Sequence, residues 1–217
     1  MTYKGEIKLY QHPALITQVQ TTHKIAAITF DDGPNAHYTP ILLKLFEEYN
    51  ARATFYTIGQ QLEANREVAI AAHQAGHELG NHTYSHPRLP DLAREQQLSE
   101  IELTEKLIVE ITGSKPPTFR PPFLEFNNEG IHLLESLDYT IISAKNLSTE
   151  DYKQPGVDHI LSNTREHVVP GSILLFHDGF GDRSQTMDTV RIILSEYTAQ
   201  GFQFVTVSEL LQLGLTE

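Results

Sequence analysis

The chain contains no cysteine. Disulfides and thiolate metal sites are therefore excluded, though exported proteins can also lack cysteine. Basic residues are scarce: Lys and Arg number 16 against 28 Asp and Glu, a formal net charge of −12 over 217 residues. A chain so acidic repels nucleic acid and anionic membrane surfaces, both of which are met with basic patches. No apolar run approaches the length of a membrane-spanning helix. Met1–Ile7 lack the apolar centre of a signal peptide. The expected location is cytoplasmic if the chain is full length, and secreted or cell-surface if an export segment has been trimmed. Low-complexity tracts, linkers and solenoid-period repeats are also missing.

What is present is alternation. Short β-type runs at Ile25–Phe30, Ala53–Ile58, Glu78–Gly80, Thr118–Phe119, Thr140–Ser143, Ile173–Phe176 and Gln203–Thr206 are separated by longer helical patterns. These helical patterns lie at Thr39–Glu48, Arg66–Gln74, Asp91–Ile111, Asn128–Leu137, Val157–Val168, Gln185–Ala199 and Ser208–Leu213. Gly76, Gly113 and Gly201 each follow a helical pattern, as C-cap glycines do. Strand–helix alternation predicts a parallel sheet with right-handed crossovers. An open doubly wound sheet would show the same periodicity. The expected fold is α/β, a distorted (β/α) barrel with about seven parallel strands, since a regular eight-unit barrel typically needs roughly 250 residues. One domain over 1–217 is expected, with 1–23 as an appendage in which Ile7–Tyr10 and Leu15–Val19 pair antiparallel.

Reactive residues collect where the predicted strands end, which is where such folds build sites. The run Thr29-Phe30-Asp31-Asp32-Gly33-Pro34 closes an apolar strand with two adjacent carboxylates. Neighbouring strand side chains point to opposite faces, so both acids serve one site only if the chain curls at Gly33-Pro34. Asp before Gly-Pro is also ordinary turn chemistry. His82 and His86 are spaced i, i+4, which on a helical turn brings two imidazoles to one side. With a carboxylate they suit zinc or a similar ion, although on spacing alone they are equally a pair of surface-loop histidines. Arg120 is either a snorkelling surface residue or the charge that keeps a carboxylate ionised. His177, after four apolar residues, reads in isolation as a satisfied core histidine. The other eight histidines read as surface or packing residues. Four strand ends each carrying a ligand, base, acid or charge partner argue jointly for an enzyme.

At these residues the sequence resembles the metal-dependent polysaccharide deacetylases, the NodB-like carbohydrate esterases that include chitin and peptidoglycan N-deacetylases. Thr29–Pro34, His82-Thr83-Tyr84-Ser85-His86, Arg120-Pro121-Pro122-Phe123 and Leu175-Phe176-His177 are similar to four of the family's motifs, in order. The resemblance implies a distorted (β/α) barrel that holds one divalent ion, zinc first and cobalt or nickel next, on Asp32, His82 and His86. It implies removal of N-acetyl groups from N-acetylglucosamine-containing glycans by water that the ion readies. Asp31 would be the general base, Arg120 its positioner and His177 the general acid. Phe123 would offer a backbone N–H to the oxyanion, Leu175 would line the acetyl pocket, and Pro122 and Tyr152 would contact substrate. The fourth motif departs: Ser148 stands where an aspartate orients the acid histidine, so His177 is expected to be less basic than usual. Tyr152 stands where a tryptophan walls the pocket. Tyr84, Phe126 and Phe180 are further candidates for stacking on sugar. Two alternatives stay open: a metal-keeping glycan-binding protein with weak or lost catalysis, and an amidase or esterase acting on another acetylated substrate.

Overall fold

The computed structural model describes residues 13–214. In chain order its elements are β1 (Leu15–Ile16), β2 (Ile25–Asp31), α1 (Tyr38–Glu48), β3 (Thr54–Thr57), α2 (Gly59–Ala64), α3 (Arg66–Gln74), β4 (Glu78–Asn81) and α4 (Arg94–Thr112). There follow β5 (Thr118–Phe119), α5 (Asn128–Ser136), β6 (Thr140–Ile142), α6 (Val157–Arg165), β7 (Ile173–His177), α7 (Ser184–Ala199), β8 (Gln203–Phe204) and α8 (Val207–Gly214). Every pairing between these strands is parallel, in the order β1-β6-β5-β4-β3-β2-β7, and β8 adds to the first residues of β2. This is the expected distorted (β/α) barrel.

The barrel closes incompletely. Its end strands, β1 and β7, meet through the segment after β1: Gln18 bridges Ser172, and the Ile173 N–H donates to the Thr17 carbonyl at 3.1 Å. Between β6 and β7 a side chain takes the place of a strand. The Asn146 amide donates to the Leu175 carbonyl at 3.0 Å and accepts from the Leu175 N–H at 2.7 Å.

Alternation along β2 builds two cores at once. Ala26, Ile28 and Phe30 pack outward with Phe46, Phe55 and Phe176 beneath the helices. Ile25 and Ala27 point inward with Tyr56, Ile142, Ile173 and Val205, where Val207 and Leu210 of α8 plug the barrel. Both faces of β2 are buried, as its unbroken apolar run requires. Helix α4 buries Gln97, Ile101, Thr104 and Ile108, a stripe at helical spacing, and ends at Gly113 with φ 77.

Two expectations need adjusting. Leu15–Ile16 lies in the barrel sheet, parallel to β6, while Ile7–Tyr10 falls outside the described residues. Helix α2 was not foreseen: its GQQLEA run is too short and too polar to show a period. Among the described residues, no helix is long and apolar enough to cross a membrane.

Candidate active site

The inward face of β2 continues past Ala27 to Thr29 and Asp31, so Asp31 points into the mouth of the barrel. Asp32 then takes a left-handed backbone, φ 75, before a cis Gly33–Pro34 bond. That curl brings both acids to one site, as the Gly-Pro pair requires. Asp31 faces His177 across the β2–β7 ladder, where the two are register partners. On β7, Leu174 and Phe176 pack outward, which turns Leu175 and His177 towards the mouth.

His82 and His86 converge, but not on a helix. They sit in the loop after β4, whose path turns at Thr83 (φ 69) and His86 (φ 59). Glu100 of α4 holds that loop: one oxygen accepts the N–H groups of Tyr84 and Ser85 at 2.9 and 2.8 Å, the other the Ser85 hydroxyl at 2.7 Å. The i, i+4 spacing therefore singled out a pair that does converge, but by way of a loop rather than the helical turn it implied.

Asp32, His82 and His86 bring ligand atoms within 4.8 Å of one another. Nε2 of His82 lies 3.6 Å and Nε2 of His86 3.2 Å from Asp32 Oδ1. His82 Nδ1 is 2.6 Å from the Arg120 carbonyl oxygen. That oxygen only accepts, so Nδ1 carries a proton and Nε2 is the atom turned towards the two carboxylates. Burial above all, then the neighbouring His82, pushes His86 down to about 4, so at neutral pH the His86 ring is uncharged. Burial raises Asp32, but the imidazoles of His82, His177 and His86 together outweigh it and hold the carboxyl below its usual value. Asp32 Oδ1 is buried with no donor aligned to it. Lone pairs meeting an orphaned carboxylate oxygen fit a cation, and this set suits a divalent metal.

Arg120 is fully buried rather than snorkelling. It donates to Asp31 Oδ1 and Thr29 Oγ1 at 2.7 Å each, to the Ser143 carbonyl at 3.0 Å and to the Ile142 carbonyl at 3.4 Å. Its guanidinium lies 4.2 Å from the centre of the Tyr56 ring. Asp31 thus meets a rigid, permanently charged donor on one side, and His82 Nε2 at 3.7 Å on the other.

His177 corrects the expectation drawn from Ser148. Ser148 is exposed, whereas Asp151 is buried and places Oδ1 2.7 Å from His177 Nδ1. Asp151 Oδ2 accepts the His177 N–H at 2.9 Å and the Thr186 hydroxyl at 3.0 Å. Burial alone lowers His177, but the Asp151 charge and hydrogen bond, with help from Asp31 and Asp32, raise it to about 9. His177 is therefore more basic than usual, not less. Asp151, immediately before Tyr152, was visible as an Asp-aromatic pair; the error lay in giving its role to the residue three positions earlier.

Of the expected substrate contacts, Phe123 and Tyr152 are half exposed, Leu175 is partly buried and Pro122 is buried. Phe123 adopts φ 58 and packs its ring edge against His86 at 4.6 Å. The Tyr152 ring stands 5.5 Å from His177 and the Phe180 ring 6.4 Å from His86. Phe126 belongs to the core and offers no platform. The Tyr84 hydroxyl is tied to Glu63 at 2.9 Å. Sequence reasoning also missed Asp178, buried behind the Gly33 turn, where one oxygen accepts the Thr39 hydroxyl and the other has no partner. Burial pushes Asp178 up to about 7. Nothing in its Phe-His-Asp-Gly context separates it from a surface turn.

Comparison with known proteins agrees with the motifs. The family model described as polysaccharide deacetylase matches residues 18–142. A peptidoglycan-N-acetylglucosamine deacetylase of Bacillus cereus is 38% identical over 196 residues, spanning 90% of this chain and 92% of the relative. The crystal structure of a peptidoglycan N-acetylglucosamine deacetylase bound to an N-hydroxybenzamide superposes with TM-score 0.86 at 28% identity, over 92% of this chain and 93% of that one. A CE4 family pseudoenzyme from Bacillus anthracis superposes with TM-score 0.82 at 25% identity, over 93% of this chain and 70% of the other. A match over more than half of this sequence, together with a near full-length relative, settles its kinship: the chain belongs to the polysaccharide deacetylase family.

Proposed function

We propose that this polysaccharide deacetylase removes N-acetyl groups from N-acetylglucosamine units of peptidoglycan or chitin-type glycans. One observation carries the reading. A three-ligand cluster stands beside a carboxylate pinned by a buried arginine, which in turn faces an imidazole pinned by a buried carboxylate. That is the equipment for hydrolysing an unactivated amide, where water must lose a proton and the amine must gain one. The Bacillus cereus relative is named for the peptidoglycan reaction.

Asp32, His82 and His86 would hold one divalent ion, zinc in the first instance and cobalt or nickel next, because imidazole and carboxylate donors suit these ions. Such an ion supplies a Lewis acid for the acetamide carbonyl and lowers the pKa of water beside it. Asp31, held in place by the Arg120 guanidinium, takes the proton of the attacking water. His177, charged through Asp151, returns a proton to the departing nitrogen as the carbon–nitrogen bond breaks, leaving acetate and a free amine. The Phe123 backbone N–H serves the developing oxyanion. Leu175 and Pro122 bound the acetyl methyl, and Tyr152 covers the acid side.

Glycan binding with lost catalysis was favoured only by Ser148, and Asp151 removes that ground. The test is acetate release by metal-loaded protein from peptidoglycan, chitopentaose and acetylated xylan, with and without chelator. Chelator-sensitive release from the first two is expected. No release from any glycan, or release indifferent to metal removal, overturns the reading.

A further inference from the structure

Arg183 is buried, at 6% exposure, yet none of the reaction chemistry above uses it. Its partners are main-chain carbonyls. Nε donates to Gly179 at 2.8 Å, and one terminal nitrogen donates to Asp182 at 2.8 Å and to Tyr152 at 3.1 Å. No carboxylate among the described residues pairs with it within 4.0 Å. The neighbouring Asp182 carboxylate feels its charge without forming an ion pair, so the main-chain recipients are what hold the buried guanidinium in place. They belong to two different loops, one after β7 and one before α6, and each loop carries a half-exposed aromatic ring at the mouth.

Those rings stand on different sides of the site. Phe180 is 6.4 Å from His86, on the ligand-cluster side, and Tyr152 is 5.5 Å from His177, on the acid side. The Phe180 loop is tightly held. Gly179 lies so close to Asp32 that a Cβ there would come within 2.1 Å of the Asp32 carbonyl oxygen. Phe180 itself adopts φ 50, a strained conformation for an aromatic residue that the surrounding chain must enforce. Asp182, beside Arg183, anchors the loop to α1 by accepting the Tyr38 hydroxyl at 2.8 Å. Tyr152, in contrast, is held from the Phe180 side through Arg183, whose planar fork reaches both loops at once.

We propose that Arg183 is a positioning residue that sets the gap between Tyr152 and Phe180, the two aromatic walls between which a sugar ring of the substrate is held. This rests on the glycan deacetylase reading above. Carbohydrate rings stack on aromatic faces through their apolar C–H surfaces, so the gap governs how firmly and in what orientation the ring sits. The effect of losing Arg183 belongs in substrate affinity rather than in bond breaking.

The test compares metal-loaded wild type with Arg183→Met, Phe180→Ala, Tyr152→Ala and the double variants that combine Arg183→Met with each alanine. All are assayed on chitopentaose, with metal content and thermal melting recorded. Arg183→Met is expected to raise KM about tenfold while kcat falls less than threefold, with metal stoichiometry unchanged. The double variants are expected to be little worse than Phe180→Ala or Tyr152→Ala alone, because residues acting through one another are not additive. Arg183→Lys keeps the charge but not the fork, and serves the same comparison if methionine unfolds the chain. A kcat loss with unchanged KM, or losses that multiply in the double variants, overturns the role given to Arg183. Wild type that turns over no glycan would instead overturn the proposed function.

Discussion

The two sides of the mouth solve opposite problems with the same device. On one side the fully buried Arg120 holds the Asp31 carboxylate; on the other the buried Asp151 holds the His177 imidazole. Each of the two groups faces the mouth, and each keeper sits behind it, out of water. The supports differ, however. Arg120 is fastened by Thr29, Ile142 and Ser143, parts of the barrel wall, and its charge is permanent. Asp151 sits in a short turn flanked by left-handed Glu150 and Gln154, and is fastened by Thr186 and the β7 main chain. The proposed base is thus built into the barrel, whereas the proposed acid depends on a loop. Loss on the base side should be close to absolute, and loss on the acid side should be graded with pH.

The largest effect that would break this contrast is at Asp31. Asp31→Asn is expected to lower kcat about 1,000-fold, within the range usual for general-base removal, while metal content is unchanged. Activity within tenfold of wild type would remove Asp31 as base. Arg120→Met should lower activity comparably. It should also cost about 3–5 kcal/mol of stability, because Asp31 is left charged and buried without its partner; a denaturant melt measures that second part.

His86→Ala comes next. It should reduce bound zinc well below one ion per chain by elemental analysis, together with activity, while the half-buried ring leaves the apoprotein's melting point nearly unmoved. Unchanged zinc would refute the ligand set.

Asp151→Asn sharpens the acid side. His177 is raised above its ordinary 6.5 to about 9, so the stability its charge brings is complete below pH about 6.5 and is lost as pH rises through about 9. A divalent ion on Asp32 draws the value down from there, since like charge disfavours the imidazolium. Removing the Asp151 charge lowers it again. The alkaline limb of the rate profile should therefore move to lower pH by about one unit or more, with the largest losses above neutrality. A limb that stays in place would detach Asp151 from the acid. The smallest effect belongs to Ser148→Ala, expected within about 0.5 kcal/mol of wild type in stability and unaltered in its pH profile. A marked shift there would restore the role first read from its position.

Much of this was legible because strands and ligands announce themselves locally. Ile25–Phe30 reads as a strand buried on both faces from its composition, and Gly33-Pro34 reads as the turn that gathers Asp31 and Asp32. The motif histidines were found as well. What could not be read was anything set by distant packing. Barrel closure at Thr17–Gln18 depends on a segment with no periodicity. The loop between His82 and His86 is shaped by Glu100, sixteen and fifteen residues from the N–H groups it holds. Asp151 and Ser148 differ in role only because the turn between them buries one and exposes the other. Arg183 looks in sequence like any charged residue at the start of a helix.

The free edge of β7 is finished without a neighbouring strand. Its N–H groups at Ile173, Leu175 and His177 donate in turn to the Thr17 carbonyl, the Asn146 side chain and the Asp151 carboxylate. An unpaired edge invites another chain to add to it, and here borrowed acceptors leave it no vacancies to offer. The carboxylate beside the His177 imidazole is therefore also one of the three acceptors that complete this edge. An apolar residue at 151 would strip one acceptor from this edge at the same stroke that takes the charge from beside the histidine, so such a variant should lose stability as well as its alkaline limb.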